Sequence, residues 1–499
     1  MFNFKSLLAN PFAKMVHYRL QKEAKTAVKD QQNILNQLVK KGQHTIFGKD
    51  HGLDKVSDYT SFKLAVPIRD YEGFKPYIEL VKKGIPNVLW KGLPIYFAKT
   101  SGTTSGVKYI PITKDSISNH INGARNAILT YMATTGNTAF AGGRMIFLSG
   151  SPELERVGGI ATGRLSGIVN HHIPAYLRKN QLPSYETNCI EEWEEKLEKV
   201  VEETLGKDMT LIGGIPPWMQ MYFDNLVVKT GKPVKDLFPN LQVLVQGGVN
   251  FEPYKTKLFE TIGKEIDTIE LFPASEGFFA FQDRRNEAGL LLNTNSGIFY
   301  EFIPLAEVHN ENPSRLSLGD VKLGENYALI INSNAGLWGY SIGDTVKFVS
   351  VDPYRIIVSG RVKHFISAFG EHVIGEEVEQ ALLKAAAEMN VSVVEFTVAP
   401  FIAQGEGKSC HEWFIEFEKA PANMELFKQK LNTFMCEQNV YYKDLIDGNI
   451  LEPLQIRALQ KNAFINYMRA QGKLGGQNKV PRLSNDRIIA NDLTHYINK

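Results

Sequence analysis

At 499 residues the chain exceeds what one ordinary hydrophobic core supports, so at least two domains are expected. Hydrophobic residues make up 43% and charged residues 22%, the balance of a soluble globular protein, and no apolar run approaches the roughly 20 residues that span a bilayer. A formal net charge of +2 leaves no footprint for nucleic acid, and three scattered cysteines, Cys189, Cys410 and Cys436, form neither a metal-ligand spacing nor a disulfide framework, which points to a reducing, cytoplasmic compartment.

The opening residues, MFNFKSLLANPFAKMV, are broken by Lys5, Pro11 and Lys14 and read as a docking segment rather than a secretory signal. Ala13–Lys41 has apolar residues at helical spacing, with Gly42 as a stop. Thr45–Gly84 reads as loop-rich. Leu93–Ala98 and Tyr109–Ile112 read as short strands on either side of KTSGTTSGVK, Lys99–Lys108, and Asp115–Ala133 as a helix capped by Asp115 or Thr113. The middle alternates strands (Met145–Leu148, Thr210–Ile212, Leu241–Gln246, Thr268–Phe272) with helices (Glu191–Leu205, Pro217–Val228, Pro253–Ile262). That rhythm predicts an α/β fold with a parallel sheet and right-handed crossovers, in which ligands bind beyond the carboxyl ends of the strands.

From Phe281 to Val358 short strands and turns predict an antiparallel, partly barrel-like region. A smaller α+β unit follows, with helices at Gly375–Ala387, Ala422–Glu437 and Ile456–Ala470 and strands near Val393–Val398 and Glu412–Glu418. The expected organisation is a large N-terminal domain, 1–358, and a small C-terminal domain, 359–499, that is mobile and carries a lysine loop.

The hairpin tip between Lys99 and Lys108 holds five Ser/Thr side chains and two glycines. Hydroxyls and successive backbone N–H groups there suit a polyphosphate, although the Walker A spacing is missing and a plain Ser/Thr-rich turn has the same composition. Gly247-Gly248, at a strand end, allows a flat base or sugar to approach the backbone, or is simply a turn. Glu276, in LFPASEGFFAF, stands just past a strand where one carboxylate can hold Mg²⁺ or merely face solvent. Asp344, in YSIGD, can accept both hydroxyls of a ribose or make an Asx turn. Arg361 stands at the domain boundary as a contact or hinge residue, and Lys479, in GGQNKVPRL, is either one more surface lysine or a side chain able to neutralise phosphate charge. His171 and His172 lack metal spacing and read as structural or pocket-lining. The acidic run Glu191–Glu203 reads as a solvated helix face.

Taken together and in this order, the segments TIFGKDHG, VPIRDYEGFKPYIE, KTSGTTSGVKYIPIT, FPASEGFFAF, YSIGD and QNKVPRL resemble the auxin-responsive promoter family of acyl-acid amido synthetases, as a bacterial member, within the adenylate-forming superfamily. The resemblance runs nearly end to end. It implies an ATP- and Mg²⁺-dependent ligase that adenylates a small carboxylic acid and passes the acyl group to an amine, usually an amino acid. By this match Thr100, Ser101, Gly102, Thr103, Thr104 and Ser105 would hold the phosphates, Glu276 the Mg²⁺ and Asp344 the ribose. Phe272, Ala274 and Ser275 with Gly247 and Gly248 would wall the adenine, Lys479 would stabilise charge at the α-phosphate, and the small domain would turn about Arg361. A monomer without membrane or nucleic-acid partners is expected. The chain departs from the plant members at Thr100-Ser101, at Ser341-Ile342, where they carry Arg, and at Pro273-Ala274. An acyl-CoA ligase with a thiol acceptor, or a nucleotide binder without turnover, stay as alternatives.

Overall fold

The computed structural model describes residues 4–101, 107–173, 178–249, 251–285, 287–308, 310–362, 365–366, 368–369, 371, 373–403, 409–447, 450–474 and 479–498. The chain forms two compact units, Met1–Val249 with Thr261–Ile357, and Asn250–Glu260 with Val358–Lys499.

In the first unit the N-terminal helical stretch is two helices, α1 (Phe4–Lys25) and α2 (Ala27–Gly42), where the periodicity predicts one. The break falls at Thr26, whose hydroxyl donates to Glu23 O at 3.2 Å and to Asp30 Oδ2 at 2.6 Å, so its side chain competes with the helical ladder. Thr45–Gly84, expected as loops, contains α3 (Ile46–Asp50), α4 (Tyr59–Ala65) and α5 (Tyr71–Lys82). Each begins at a side-chain cap: Thr45 accepts from Gly48 N, Asp58 and Ser61 form a capping box, and Asp70 accepts from Glu72 N and Gly73 N. α3 and α4 are too short for an apolar period to show, whereas α5 buries Tyr71, Phe74, Ile78 and Val81 at helical spacing but carries Pro76, which reads falsely as a breaker.

Strands β1 (Tyr96–Ser101) and β2 (Val107–Ile112) pair antiparallel, and α6 (Ile117–Thr135) follows. The remaining strands are β3 (Arg144–Phe147), β4 (Glu155–Val157), β5 (Ile160–Gly163), β6 (Gln181–Leu182), β7 (Met209–Gly214), β8 (Val243–Gly247), β9 (Asp267–Ala274), β10 (Gly277–Phe281), β11 (Leu290–Leu292), β12 (Ile298–Pro304), β13 (Asn326–Ser333), β14 (Tyr340–Val351) and β15 (Tyr354–Arg361), whose residues from Val358 onward belong to the second unit. Among the described residues, β2-β1-β5-β4 make one sheet and β12-β13-β14-β15-β11-β10-β9-β8-β7-β3-β6 another. The predicted parallel strands β3, β7, β8 and β9 are adjacent and parallel. The antiparallel strands extend that same sheet through the β9–β10 hairpin instead of standing apart. An aromatic core of Phe47, Phe62, Phe74, Trp338 and Tyr340 packs under α2 to α5.

The helix Trp193–Thr204 is not solvated throughout. Lys196 is 4% exposed, and its ammonium donates to Ser149 O at 2.9 Å and Asn188 O at 2.6 Å, tying the exit of β3 to this helix. Burial lowers its pKa to about 8.

The second unit holds the pair β16 (Phe365–Ile366) and β17 (Val373–Ile374), and a sheet of β18 (Ser392–Phe401), β19 (Cys410–Lys419) and β20 (Gln455–Leu459). Helices Gly375–Met389 and Met424–Gln438 share its core with Phe396, Trp413 and Phe427. Ile456–Ala470, predicted as one helix, is β20, parallel to β19, and then the helix Ala463–Ala470. Asn462, at φ +64°, separates the two. Cys189, Cys410 and Cys436 are free thiols. Among the described residues no helix is long and apolar enough to cross a membrane.

Candidate active site

The hydroxyl-rich segment joins β1 to β2. Thr100 pairs with Lys108 and Ser101 with Val107, which sets the base of the hairpin. Gly102, Thr103, Thr104 and Ser105 lie outside the described residues. The hairpin base is anchored from α5: the amide of Tyr109 donates to the Tyr71 hydroxyl at 2.9 Å, and Lys108 Nζ lies 5.7 Å from the Tyr71 ring centroid.

The residues just before Tyr71 reach the start of β14. Arg69 N donates to Gly339 O at 2.9 Å and Ser341 N to Arg69 O at 2.8 Å. The Arg69 guanidinium also donates to His51 Nε2 at 2.7 Å. His51 can accept there because its Nδ1 is 2.8 Å from Phe47 O, which places the proton on Nδ1; burial holds its pKa below the ordinary value. Thus TIFGKDHG and VPIRDY fasten to each other and to YSIGD.

Ser275 and Glu276 form the turn between β9 and β10. Tyr340, 1% exposed, donates its hydroxyl to Glu276 Oε1 at 3.4 Å. Burial first, and the Glu276 charge second, push the Tyr340 hydroxyl well above its usual pKa, so it stays a donor. The turn is held from below by α6, where Asn119 accepts from Phe278 N at 2.7 Å and donates to Phe278 O at 3.2 Å.

Asp344 lies on the same strand as Tyr340. Between Tyr340 and Thr345 the register against β13 shifts: Ser341 faces Ile330 but Thr345 faces Ala328. Ile342, Gly343 and Asp344 therefore bulge, with Gly343 at φ +85°, a conformation glycine adopts without cost. Bulges of this kind re-aim a side chain. Asp344 is 8% exposed.

Gly247 ends β8 opposite Leu271, so close that a side chain would strike the Leu271 carbonyl; Gly248 follows at φ +87°. Gln246 beside them is buried, and its side-chain oxygen has no donor among the described residues. Phe272 differs from expectation in one respect: its ring packs edge-on against Phe279 at 5.1 Å in the core, leaving its backbone and the half-buried Ala274 at the strand end.

Arg361 and Lys479 belong to the second unit. Arg361 ends β15 and Lys479 is exposed in the loop before Val480. His171 and His172 make ordinary contacts, with Pro152 O and the Tyr96 hydroxyl. Arg69, Tyr71 and Tyr340 carry no individual mark in the sequence. Their signal was membership of the quoted segments, since nothing in their spacing distinguishes them.

Models of the GH3 family match in order: the N-terminal domain over residues 16–185, the central domain over 291–361 and the C-terminal domain over 376–488. Jasmonoyl–L-amino acid synthetase JAR4 of Nicotiana attenuata is 22% identical, over 92% of this chain and 91% of its own. Indole-3-acetic acid-amido synthetase GH3.3 of Arabidopsis thaliana is 20% identical, over 91% and 88%. In fold, the chain is similar to the AtGH3.15 acyl acid amido synthetase in complex with 2,4-DB (TM-score 0.77, 16% identity, 97% and 96% covered). A 2-hydroxyisobutyryl-CoA ligase in the postadenylation state is a more distant likeness (TM-score 0.55, 11% identity, 97% and 91% covered).

Proposed function

We propose a reaction for this chain from the premise that it belongs to the GH3 family, whose three domain models it matches in order. It is an amide-forming acid–amino acid ligase on an adenylate-forming fold, and that fold implies ATP as co-substrate. In the first step a carboxylate oxygen of a small acid bonds to the α-phosphorus of ATP and the bond to pyrophosphate breaks. In the second, an amine nitrogen bonds to the acyl carbon, the C–O bond to AMP breaks, and the surplus proton is lost to solvent.

The residues divide this work. Thr100, Ser101 and the segment Gly102–Ser105 bind the phosphates, and Asp344 accepts from the ribose hydroxyls. Gly247, Gly248, Ala274, Ser275 and the Phe272 backbone face the base, and the unpartnered Gln246 oxygen suits an exocyclic amine. Glu276 offers one carboxylate beside a hydroxyl; among the described residues there is no cluster of three or more acidic, His or Cys groups that could hold a metal. That sparse oxygen set fits Mg²⁺, which keeps most of its waters and shares substrate phosphates. When bound there, Mg²⁺ supplies positive charge to the phosphate oxygens. Lys479 neutralises charge at the α-phosphate as pyrophosphate departs. The small domain turns about Arg361 between the steps, and the protein works as a cytoplasmic monomer.

The observation that carries this reading is the Tyr340–Glu276 contact, which brings the strand-end glutamate to the strand bearing Asp344. The test is acid-dependent exchange of labelled pyrophosphate into ATP across a panel of carboxylic acids, followed by product mass spectrometry with amino acids and with coenzyme A. Exchange plus an amide is the expected result. A thioester in place of the amide would move the chain to the acyl-CoA ligases, and absence of exchange with every acid would sink the adenylation chemistry.

A further inference from the structure

Arg482, three residues beyond Lys479, sits at the centre of a buried charge cluster. Its Nε donates to Glu379 Oε1 at 2.8 Å, its Nη1 to Glu395 Oε1, and its Nη2 to the Tyr254 hydroxyl at 2.7 Å. Tyr254 donates onward to Glu395 Oε2 at 2.7 Å. The guanidinium also lies 4.8 Å from the Phe396 ring centroid and 5.3 Å from that of Tyr254. Every face of the fork is thus engaged, and the side chains of Arg482, Glu395 and Glu379 are 13%, 13% and 9% exposed.

The backbone is pinned at the same place. The Thr397 hydroxyl donates to Pro481 O at 2.8 Å, Val398 N to Arg482 O at 2.9 Å, and Ser484 N to Val398 O at 3.0 Å. Leu483 therefore runs parallel to β18 at Val398. Tyr254 comes from the other stretch of this unit, Asn250–Glu260, whose chain leads on from Gly247-Gly248.

Stability alone is a poor explanation for such a cluster. Desolvating one guanidinium and two carboxylates is expensive, and well-packed apolar residues commonly serve a core as well or better. A planar fork held by separate acceptors does give what an apolar plug cannot, a defined direction for the chain that carries it. Lysine has a long flexible stem, so where its ammonium can reach depends on where the root of its loop is held.

We propose that Arg482, held by Glu379, Glu395 and Tyr254, is the positioning residue for Lys479 in the adenylation step. This rests on Lys479 acting at the α-phosphate, as argued above. In the proposed reaction the small domain that carries Lys479 turns between the steps, so the task of the lysine, and of the clamp, ends with the first step.

The test uses full-length Arg482→Lys, Tyr254→Phe and Lys479→Ala with the acid that exchanges fastest in the wild type. The readouts are pyrophosphate exchange, ATP affinity by calorimetry, and amide formation from the synthetic adenylate of that acid. Exchange should fall by up to about 100-fold in Arg482→Lys and about tenfold in Tyr254→Phe, the scale of a misplaced catalytic group and of one lost charged hydrogen bond. ATP affinity and amide formation should stay at wild-type values. Equal loss of both half-reactions would reveal a merely structural cluster and overturn the proposal. Normal exchange in both clamp variants, with Lys479→Ala inactive, would overturn the clamp alone. Normal exchange in Lys479→Ala would remove the lysine from the mechanism and the clamp with it. If Arg482→Lys does not fold, Tyr254→Phe, which loses one oxygen and keeps its ring, decides.

Discussion

His120 is buried on α6 with its Nδ1 unpartnered among the described residues, one position after the Asn119 that holds the β9–β10 turn. Burial depresses its pKa from 6.5 to about 4. Between those values the unfolded chain carries a proton on this imidazole and the folded chain does not. Unfolding therefore takes up one proton, and stability that is intact above pH 6.5 is lost as pH falls toward 4. The whole effect amounts to roughly 3 kcal/mol. Denaturant midpoints at closely spaced pH values should show this slope in the wild type and a shallower one in His120→Asn. An identical slope in the variant would assign the acid sensitivity elsewhere. No sequence pattern flags His120, because a lone histidine in a helix has no distinguishing neighbour, and only the fold buries it.

At the level of elements, the turn bearing Glu276 is only as well placed as the helix beneath it. Gly123, one turn beyond Asn119, faces the Phe278 ring so closely that any Cβ would overlap it. Gly123→Ala forces α6 away from β10 and should cost about 1–3 kcal/mol by overpacking, even though alanine favours the helix. Thermal unfolding would register the loss, and the Mg²⁺ concentration needed for half-maximal exchange should rise with it. Unchanged stability would mean that the helix shifts freely and does not define the turn. Long periodic segments such as α6 and the strand–helix alternation from β7 to β9 were legible in the sequence, since each repeats its signal over many residues. The short capped helices α3 and α4 were not, because so few residues leave only a cap to read, and α5 was hidden by Pro76 in its middle. Strand β20 was misread as helix because Ile456, Leu459 and Ala463 also fit a helical spacing, and only pairing with β19 decides between them.

On the proposed roles, nucleotide binding falls to one unit and charge stabilisation to the other. Glu276, Asp344, Gly247 and Gly248 belong to the first unit, whereas Lys479 belongs to the second. The sequence order of the motifs leads to this expectation; the fastening of Arg69, Tyr71 and Tyr340 leaves no trace in the sequence, because it depends on hydrogen bonds between distant segments. If the first unit supplies the nucleotide contacts, the two substitutions Asp344→Asn and Lys479→Ala must fail differently. With Asp344 in its proposed role, Asp344→Asn removes the charge that would accept from both ribose hydroxyls. Charged hydrogen bonds contribute about 1.5–3 kcal/mol, so ATP affinity should fall by about 10- to 100-fold. Lys479→Ala should leave that affinity within about twofold while slowing exchange more than about tenfold, because its contact strengthens only as charge builds at the α-phosphate. Titration calorimetry with ATP measures the first quantity and initial exchange rates the second. Weak ATP binding in Lys479→Ala would mean that the lysine holds the ground state, and the assignment of binding to one unit and charge stabilisation to the other would have to be abandoned.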